Sequence, residues 1–383
     1  MKTLIFRWLI AVTSTLAVGT AAIAQERVIR IGALMPLSGP ASYYGVQAKE
    51  GTELALEEVN KAGVNGYKLQ VHYEDSACSP LQATNTVKRL LEQFKPHAVI
   101  AAECSDAVLA VAPFLEAAKV PLLNPSAAAG KLTESGYKYV FRIFPTAQQQ
   151  NELLATHAYD KLKARTAVLV FEKTNAGVDN ADTFEKVFKA KGGKVLARID
   201  FGKEVADFTS IATRIASLGD VDVLPTFGLE GQSVRLAQAL AQARVVKGGG
   251  GKAIQLGSIW LPWGFEQKAG QASEGYIRAV QFDPTEKRPI VQEFMRGYRA
   301  KYGADKIPTH PTAGSYDLVL LVAHVVRQGA TDSEAIRDRF SKVKNFEGAT
   351  GKITFGPNGQ TTDLSVIHFV ETQKDLSWKG LNW

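Results

Sequence analysis

The sequence predicts an α/β protein made of two doubly wound parallel-sheet lobes. Three observations predict it. Short apolar runs alternate with longer segments of helical periodicity, the pattern of parallel sheets built from right-handed βαβ units. The series runs from Val28 to Pro145 and begins again at Thr166, which suggests a second lobe. Three runs also end in small polar residues beside a helix start, at Asp75-Ser76, Glu103-Cys104-Ser105 and Asn124-Pro125-Ser126. In a parallel sheet such ends are neighbours along one edge, where ligands bind.

Taken in order, Val28 to Leu34 is an apolar run without alternation, as in a strand buried on both faces. It leads into the loop Pro36-Leu37-Ser38-Gly39-Pro40. Val46 to Ala62 carries Leu54, Ala55, Leu56 and Val59 at helical spacing, and Gly63 stops it. Tyr67 to Asp75 reads as strand. Ser79-Pro80 then opens a helix to about Phe94, with a hydroxyl at the cap and proline at the first helical position. Ala98–Glu103, Pro121–Asn124 and Tyr139–Pro145 read as strands, and Ser105–Lys119 as helix. A helix begins near Gln148. In the second series Thr166–Phe171, Lys194–Phe201, Val221–Phe227 and Ala253–Ser258 are strands, with helices at Asp179–Lys191, Asp207–Leu218 and Glu230–Val245. The last third differs. A strand at Tyr276–Phe282 precedes long helices at Pro289–Tyr302, Thr312–Arg327 and Asp332–Val343. Strand and turn follow at Lys352–Gly359, and a last strand at Ser365–Glu371. A chain that crosses to the first lobe and returns to the second explains this ending.

A chain of 383 residues has ample length for two domains. Its formal charge of +7 comes from scattered Lys and Arg, with no basic run of the kind that binds nucleic acid. Lys2 and Arg7, the apolar run Trp8–Ala22 and the small residues of Ala22-Ile23-Ala24 have the form of a secretory signal peptide cleaved after Ala24. The alternative is an uncleaved anchor, but the run is short and broken by Thr13, Ser14, Thr15 and Gly19. No cysteine follows the cleavage site to carry a lipid. The mature chain is therefore expected to be soluble, exported and periplasmic. In an oxidising compartment the only two cysteines, Cys78 and Cys104, 26 positions apart, are expected to pair. Closing that loop would contribute about 3–4 kcal/mol by chain entropy. A metal site is the rival, and two cysteines without a nearby histidine supply too few ligands.

At this point the residues resemble a known family. Ile31-Gly32-Ala33-Leu34-Met35-Pro36-Leu37-Ser38-Gly39-Pro40 with Tyr44-Gly45, then Tyr73-Glu74-Asp75-Ser76-Ala77-Cys78, Cys104-Ser105, Pro121–Pro125 and Ala206-Asp207-Phe208-Thr209 occur in order behind the leader. Together they resemble the periplasmic solute-binding proteins of branched-chain amino-acid (leucine/isoleucine/valine-type) ABC transporters, over essentially the whole mature chain. The resemblance implies a type I periplasmic binding fold, two lobes joined by a three-strand hinge. On that expectation residues 1–24 are the signal peptide, 25–145 plus 281–351 the first lobe, and 146–280 plus 352–383 the second. Crossings would fall near Phe144–Thr146, Val280–Phe282 and Thr350–Lys352. It also implies a ligand clamped in the cleft and delivered to a permease and ATPase in the inner membrane, by a monomer without cofactor or metal.

The family's first-lobe site maps onto Tyr44, Ser105, Ser126 and Ala128, with Ala127 between the last two. Ser105 would offer its N–H and hydroxyl at a helix N-terminus, where unpaired donors and the helix dipole suit a carboxylate. Capping by Ser105 and Asp106 alone is the plainer reading. Two departures matter. Alanine stands at position 128 where the family's amino-acid binders usually have threonine, and Ile259-Trp260 follows Leu256-Gly257-Ser258 where they have an acid. A buried ammonium without an anion is costly, so the usual ammonium site looks dismantled. The second-lobe tyrosine is also missing, with Thr174-Asn175-Ala176-Gly177 in its place. Aromatic residues Tyr43, Tyr44, Phe227, Trp260 and Trp263 fall at loops near the expected cleft and could wall a flat ring. The sequence therefore leans towards an aromatic acid, of phenylpropanoid or phenylpyruvate type. The alternative is a branched-chain or other amino acid, with Asp106 as a relocated ammonium partner. A periplasmic sensor module is a remoter alternative on the same fold.

An exported hydrolase is the rival from another class. The sequence has no Gly-x-Ser-x-Gly, and its six histidines (His72, His97, His157, His310, His324, His368) are widely scattered without metal spacing. His310 is expected in a loop at the cleft rim. The glycines 248–251 lack Walker spacing. No enzyme activity is expected.

Overall fold

The computed structural model describes residues 27–257, 259, 261–364 and 367–381. The leader, Ser258 and Trp260 lie outside the described residues.

The first sheet contains β1 (Arg27–Met35), β2 (Tyr67–Asp75), β3 (Ala98–Ala101), β4 (Leu122–Asn124) and β5 (Val140–Arg142), all parallel, in the order β2-β1-β3-β4-β5. Between them run α1 (Ser42–Ala62), α2 (Pro80–Arg89), α3 (Ser105–Ala117) and the short α4 (Lys131–Glu134). Ser79 caps α2 as its sequence requires, its hydroxyl accepting from the Gln82 N–H, with Pro80 in the first turn.

The second series is α5 (Ala147–Asp160), β6 (Thr166–Glu172), α6 (Asn175–Ala190), β7 (Lys194–Phe201), α7 (Thr209–Ala216), β8 (Val223–Phe227), α8 (Glu230–Gln242), β9 (Ile254–Gly257), α9 (Phe265–Ala269) and β10 (Ile277–Val280). Then α10 (Pro289–Tyr302), α11 (His310–Arg327) and α12 (Ser333–Phe340) lead to the hairpin of β11 (Phe346–Gly348) and β12 (Gly351–Ile353). The chain ends with β13 (His368–Thr372) and β14 (Trp378–Leu381). The second sheet is ordered β14-β13-β10-β9-β8-β6-β7. Strands β6 to β10 are parallel, and β13 and β14 extend the sheet antiparallel. The antiparallel edge has no counterpart in the expected all-parallel lobes: β13 reads as an ordinary apolar run, and only its partner shows its direction.

The cores show where the chain changes lobe. Ile143 packs with the first sheet and Phe144 with the second; Ala279 packs with the second and Phe282 with the first. The third crossing is later than the sequence suggested. Ile353 and Phe355 still enter the first core, and Ile367 and Phe369 enter the second. Two features hold the chain back. Asp317, fully buried on α11, accepts from the Ala349 N–H (2.7 Å) and from the N–H (2.8 Å) and hydroxyl (2.6 Å) of Thr350. Gly359 and Thr361 then bond Arg142 at the edge of the first sheet. Gly359 has φ +74°, and a Cβ there would sit 1.9 Å from the Val140 carbonyl oxygen, so this close approach requires glycine. The crossing thus lies beyond Thr361 rather than at 350–352. Among the described residues, no helix is long and apolar enough to cross a membrane.

Candidate functional site

The strand ends of the two sheets face each other across a cleft, and a cavity of about 150 Å³ lies between them. From the first lobe come Pro40-Ala41, Cys78 and Cys104-Ser105-Asp106. From the second come Glu172, Thr174, Gly177, Lys203-Glu204 and Phe227. The lining is assembled at the starts of α3, α6 and α8. The first N–H groups of each helix have no intrahelical acceptor, and the dipoles make this region attractive to anions. Thr174 caps α6, accepting from the Gly177 N–H. At Gly177 a Cβ would lie 2.0 Å from the Glu172 carbonyl, so the strand end and helix start touch directly.

The Cys78–Cys104 disulfide forms, with Cα atoms 5.4 Å apart, and both cysteines wall the cavity. It joins the loops after β2 and β3 at residues with left-handed backbone, Ala77 (φ 45°), Cys78 (φ 56°) and Glu103 (φ 69°). Asp75 holds the neighbouring loop through the Leu37 N–H (2.8 Å), the Ser38 hydroxyl (2.6 Å) and the Ala77 N–H (2.7 Å). Burial would raise the Asp75 carboxyl, but these hydrogen bonds outweigh it and hold it below the usual carboxylate range.

Ser105 and Phe227, expected at the ligand, both line the cavity, and so does Asp106. The Ser105 hydroxyl also accepts the Ala129 N–H at 3.2 Å, tying α3 to the loop after β4. Asp106 takes the Asn175 N–H (3.2 Å) and side-chain amide (2.8 Å) on one oxygen, from the opposite lobe. Asn175 is thus an exposed latch across the seam and not part of the cavity lining. Two more contacts close the seam: Gly130 N–H to Asp179 Oδ2 (3.0 Å) and Glu230 N–H to the Tyr44 hydroxyl (3.0 Å).

Other expected contacts lie elsewhere. Tyr43 and Tyr44 belong to the first turn of α1 rather than a loop. Tyr44 is buried, and Tyr43 packs edge-on against it beneath the Lys268 ammonium. Ser126, Ala127 and Ala128 are fully buried in the floor of the cleft. Ser126 Oγ accepts the Glu103 N–H at 2.8 Å. The Ala127 and Ala129 carbonyls accept from the buried Arg142, at 3.1 and 2.7 Å. That guanidinium also bonds Gln360 (2.6 Å) and Thr133 (2.7 Å), so all four acceptors are neutral. Burial pushes Arg142 down to about 9. Trp263 packs on Trp378, donates to the Phe282 carbonyl (3.1 Å) and lies away from the cavity. His310 opens α11 and is not in a loop. It is buried against Phe144 with ring centroids 5.0 Å apart, and burial pushes it down to about 3. Trp260 lies outside the described residues.

The residues that sequence reasoning missed are acidic. Glu172 ends β6, is buried, and accepts from Gln232 (3.4 Å); burial raises its carboxyl above the ordinary value. With Asp106 and Glu204 it gives the cavity three carboxyls against one ammonium, Lys203. A search of strand ends that stops at small polar residues passes over Glu172, which closes β6 directly after Phe171, whereas Ser105 opens the helix after its strand.

A sequence pattern described as "Periplasmic binding protein" matches residues 28–373. The "Leu/Ile/Val-binding protein homolog 3" of Brucella melitensis is 27% identical over 364 residues, spanning 93% of this chain and 94% of its own. The "Leucine-, isoleucine-, valine-, threonine-, and alanine-binding protein" of Pseudomonas aeruginosa is 26% identical over 360 residues, 91% of each chain. Among solved structures, the substrate binding protein LivJ of Streptococcus pneumoniae, in complex with isoleucine, superposes with a TM-score of 0.82 at 25% identity, covering 93% of this chain and 99% of its own. A solute binding protein of an ABC transporter from R. palustris, in complex with benzoate, superposes with a TM-score of 0.83 at 22% identity, covering 92% and 95%, a likeness of fold alone. Binding rather than catalysis is what these relatives are named for.

Proposed function

We propose a ligand for this chain from one premise: it belongs to the periplasmic binding protein family, which matches it from residue 28 to 373. It serves as the periplasmic substrate-binding component of an ABC importer and clamps an α-amino acid between its lobes. The observation that carries this reading is the composition of the cavity. Three carboxyls, Asp106, Glu172 and Glu204, stand beside the N-termini of α3 and α6. A zwitterion satisfies both kinds of group. Its carboxylate takes the first-turn N–H groups of α3 beside Ser105. Its ammonium takes Glu172, whose buried carboxyl then gains a direct cationic partner in addition to the more distant Lys203. Phe227 packs on the side chain.

Binding favours closure because the ligand touches both lobes only when they meet. The seam contacts Asp106–Asn175, Asp179–Gly130 and Tyr44–Glu230 define the closed shape that a permease would read.

An aromatic acid without an amino group is the second reading, and Phe227 favours it as a flat wall. Such a ligand, like an amino acid, would bring a fourth carboxylate to the three already present, but it has no ammonium to offset the like-charge repulsion.

The test is a thermal-shift and calorimetry panel on the chain from Gln25. It holds leucine, valine, threonine, phenylalanine, benzoate, coumarate and phenylpyruvate, with Glu172→Gln alongside. Amino acids should raise the midpoint, and Glu172→Gln should weaken them by about tenfold or more. A shift by the aromatic acids and by no amino acid overturns the reading.

A further inference from the structure

Glu103 is a buried acid directly behind the cavity lining that meets no cation among the described residues. It lies two residues beyond the end of β3, and Cys104, Ser105 and Asp106, which follow it, all line the cavity. Its side chain is completely shielded from solvent. Among the described residues no cation and no backbone N–H meets either carboxyl oxygen, and the Ser126 hydroxyl is the one donor that acts on them. Burial disfavours its charge and the Ser126 hydroxyl favours it; no cation is among the influences on it. The charge is felt at Tyr44, whose hydroxyl meets the second lobe at Glu230. The residue is therefore close to Tyr44 as well as to the cavity lining.

Its backbone adds a second observation. Glu103 is held at φ 69°, a left-handed conformation that a side chain rarely adopts, and its N–H is fixed by Ser126 Oγ. A buried carboxyl without a cation and a strained backbone at the same residue each oppose folding. Strain and unmet polar groups concentrate where a ligand supplies the missing contact.

On the amino-acid reading above, we propose that Glu103 sets the side-chain specificity of the site, selecting an amino acid whose side chain carries a hydrogen-bond donor or a cation. The carboxyl end of the ligand lies at the start of α3, so the side chain runs past Cys104, and Glu103, buried directly behind that lining, takes its donor once the carboxyl turns into the cavity. A hydroxyl or amide there satisfies one oxygen, and an ammonium satisfies the charge as well. A purely aliphatic side chain leaves the carboxyl unmet, and an unmet buried acceptor is penalised far more than a missing attraction.

Calorimetry with matched pairs tests this. The pairs are threonine and valine, glutamine and leucine, lysine and norleucine, each titrated into wild type, Glu103→Gln and Glu103→Leu. Wild type should bind at least one donor-bearing member about tenfold or more tighter than its apolar partner. Glu103→Leu should reverse that order. Glu103→Gln should keep any threonine or glutamine preference and lose any lysine preference, and it serves alone if the leucine variant does not fold. If amino acids bind but wild type prefers the apolar members, or the order survives both substitutions, the inference about Glu103 fails and the amino-acid reading stands. If no amino acid binds and benzoate or coumarate does, the amino-acid reading itself fails, and this inference falls with it.

Discussion

Glu103→Gln should stabilise the ligand-free protein, and only above a definite pH. The Glu103 carboxyl ordinarily titrates at 4.5, and complete burial pushes it up to about 7 in the folded chain. Between those values the folded state holds a proton that the unfolded state has released. Stability therefore falls as pH rises through that window, by about 1.4 kcal/mol per pH unit. Above the folded value the accumulated penalty is about 3 kcal/mol. Below pH 4 Glu103 is protonated in both states, and the penalty is absent. Glutamine has nearly the shape of the protonated acid and never ionises. The variant should match wild type near pH 4 and exceed it by roughly 3 kcal/mol at pH 8. Urea unfolding of both proteins at pH 4, 5, 6, 7 and 8, after denaturation and refolding to remove carried ligand, gives the difference directly. A difference that is flat across that range would falsify the picture of an uncompensated carboxyl. It would mean that the site holds a partner for Glu103 even without ligand.

The disulfide and the buried arginine give two further predictions. Replacing both Cys78 and Cys104 by serine should cost about 3–4 kcal/mol in urea unfolding and should also weaken ligand, because both cysteines wall the cavity; undiminished affinity in the folded variant would show that the wall is dispensable. Arg142→Met should destabilise by roughly 3 kcal/mol or more, since it leaves several buried acceptors without a donor, and should loosen the 126–130 loop so that calorimetric affinity falls with stability. A variant that loses stability and keeps full affinity would separate that loop from the site.

How much of this was legible differs from residue to residue. The Ser79-Pro80 cap is legible because both signals are local: a hydroxyl that accepts the N–H of Gln82, three residues ahead, and a ring that fits the first turn. Ser105 is legible from its position after a strand and at a helix start, and Phe227 as an aromatic residue near the expected cleft. The tyrosines carry no local helix-start signal, because α1 begins at Ser42 without a side-chain cap and its apolar periodicity is evident only after Val46. His310 was misplaced for a similar reason. Its burial against Phe144 joins residues far apart in the chain, and no local pattern records it. Arg142 gave no signal at all. A lone arginine in an apolar run reads as an edge residue, yet here it organises the cleft floor.

By itself, the sequence determined what depends on neighbours along the chain: the alternation of strand and helix, two series of them, the pairing of the only two cysteines, and the family. Each rests on periodicity or on groups a few positions apart. The tertiary structure alone decided which charges share a cavity. Asp106, Glu172 and Glu204 come from three separate strand or helix ends, and their proximity turned the preferred ligand from an aromatic acid towards an amino acid. It also decided that the third crossing waits until after Thr361, because Asp317 and Arg142 hold the chain to the first lobe. Electrostatic energy depends on distance through space and on the exclusion of water, and neither quantity is a property of spacing along the chain.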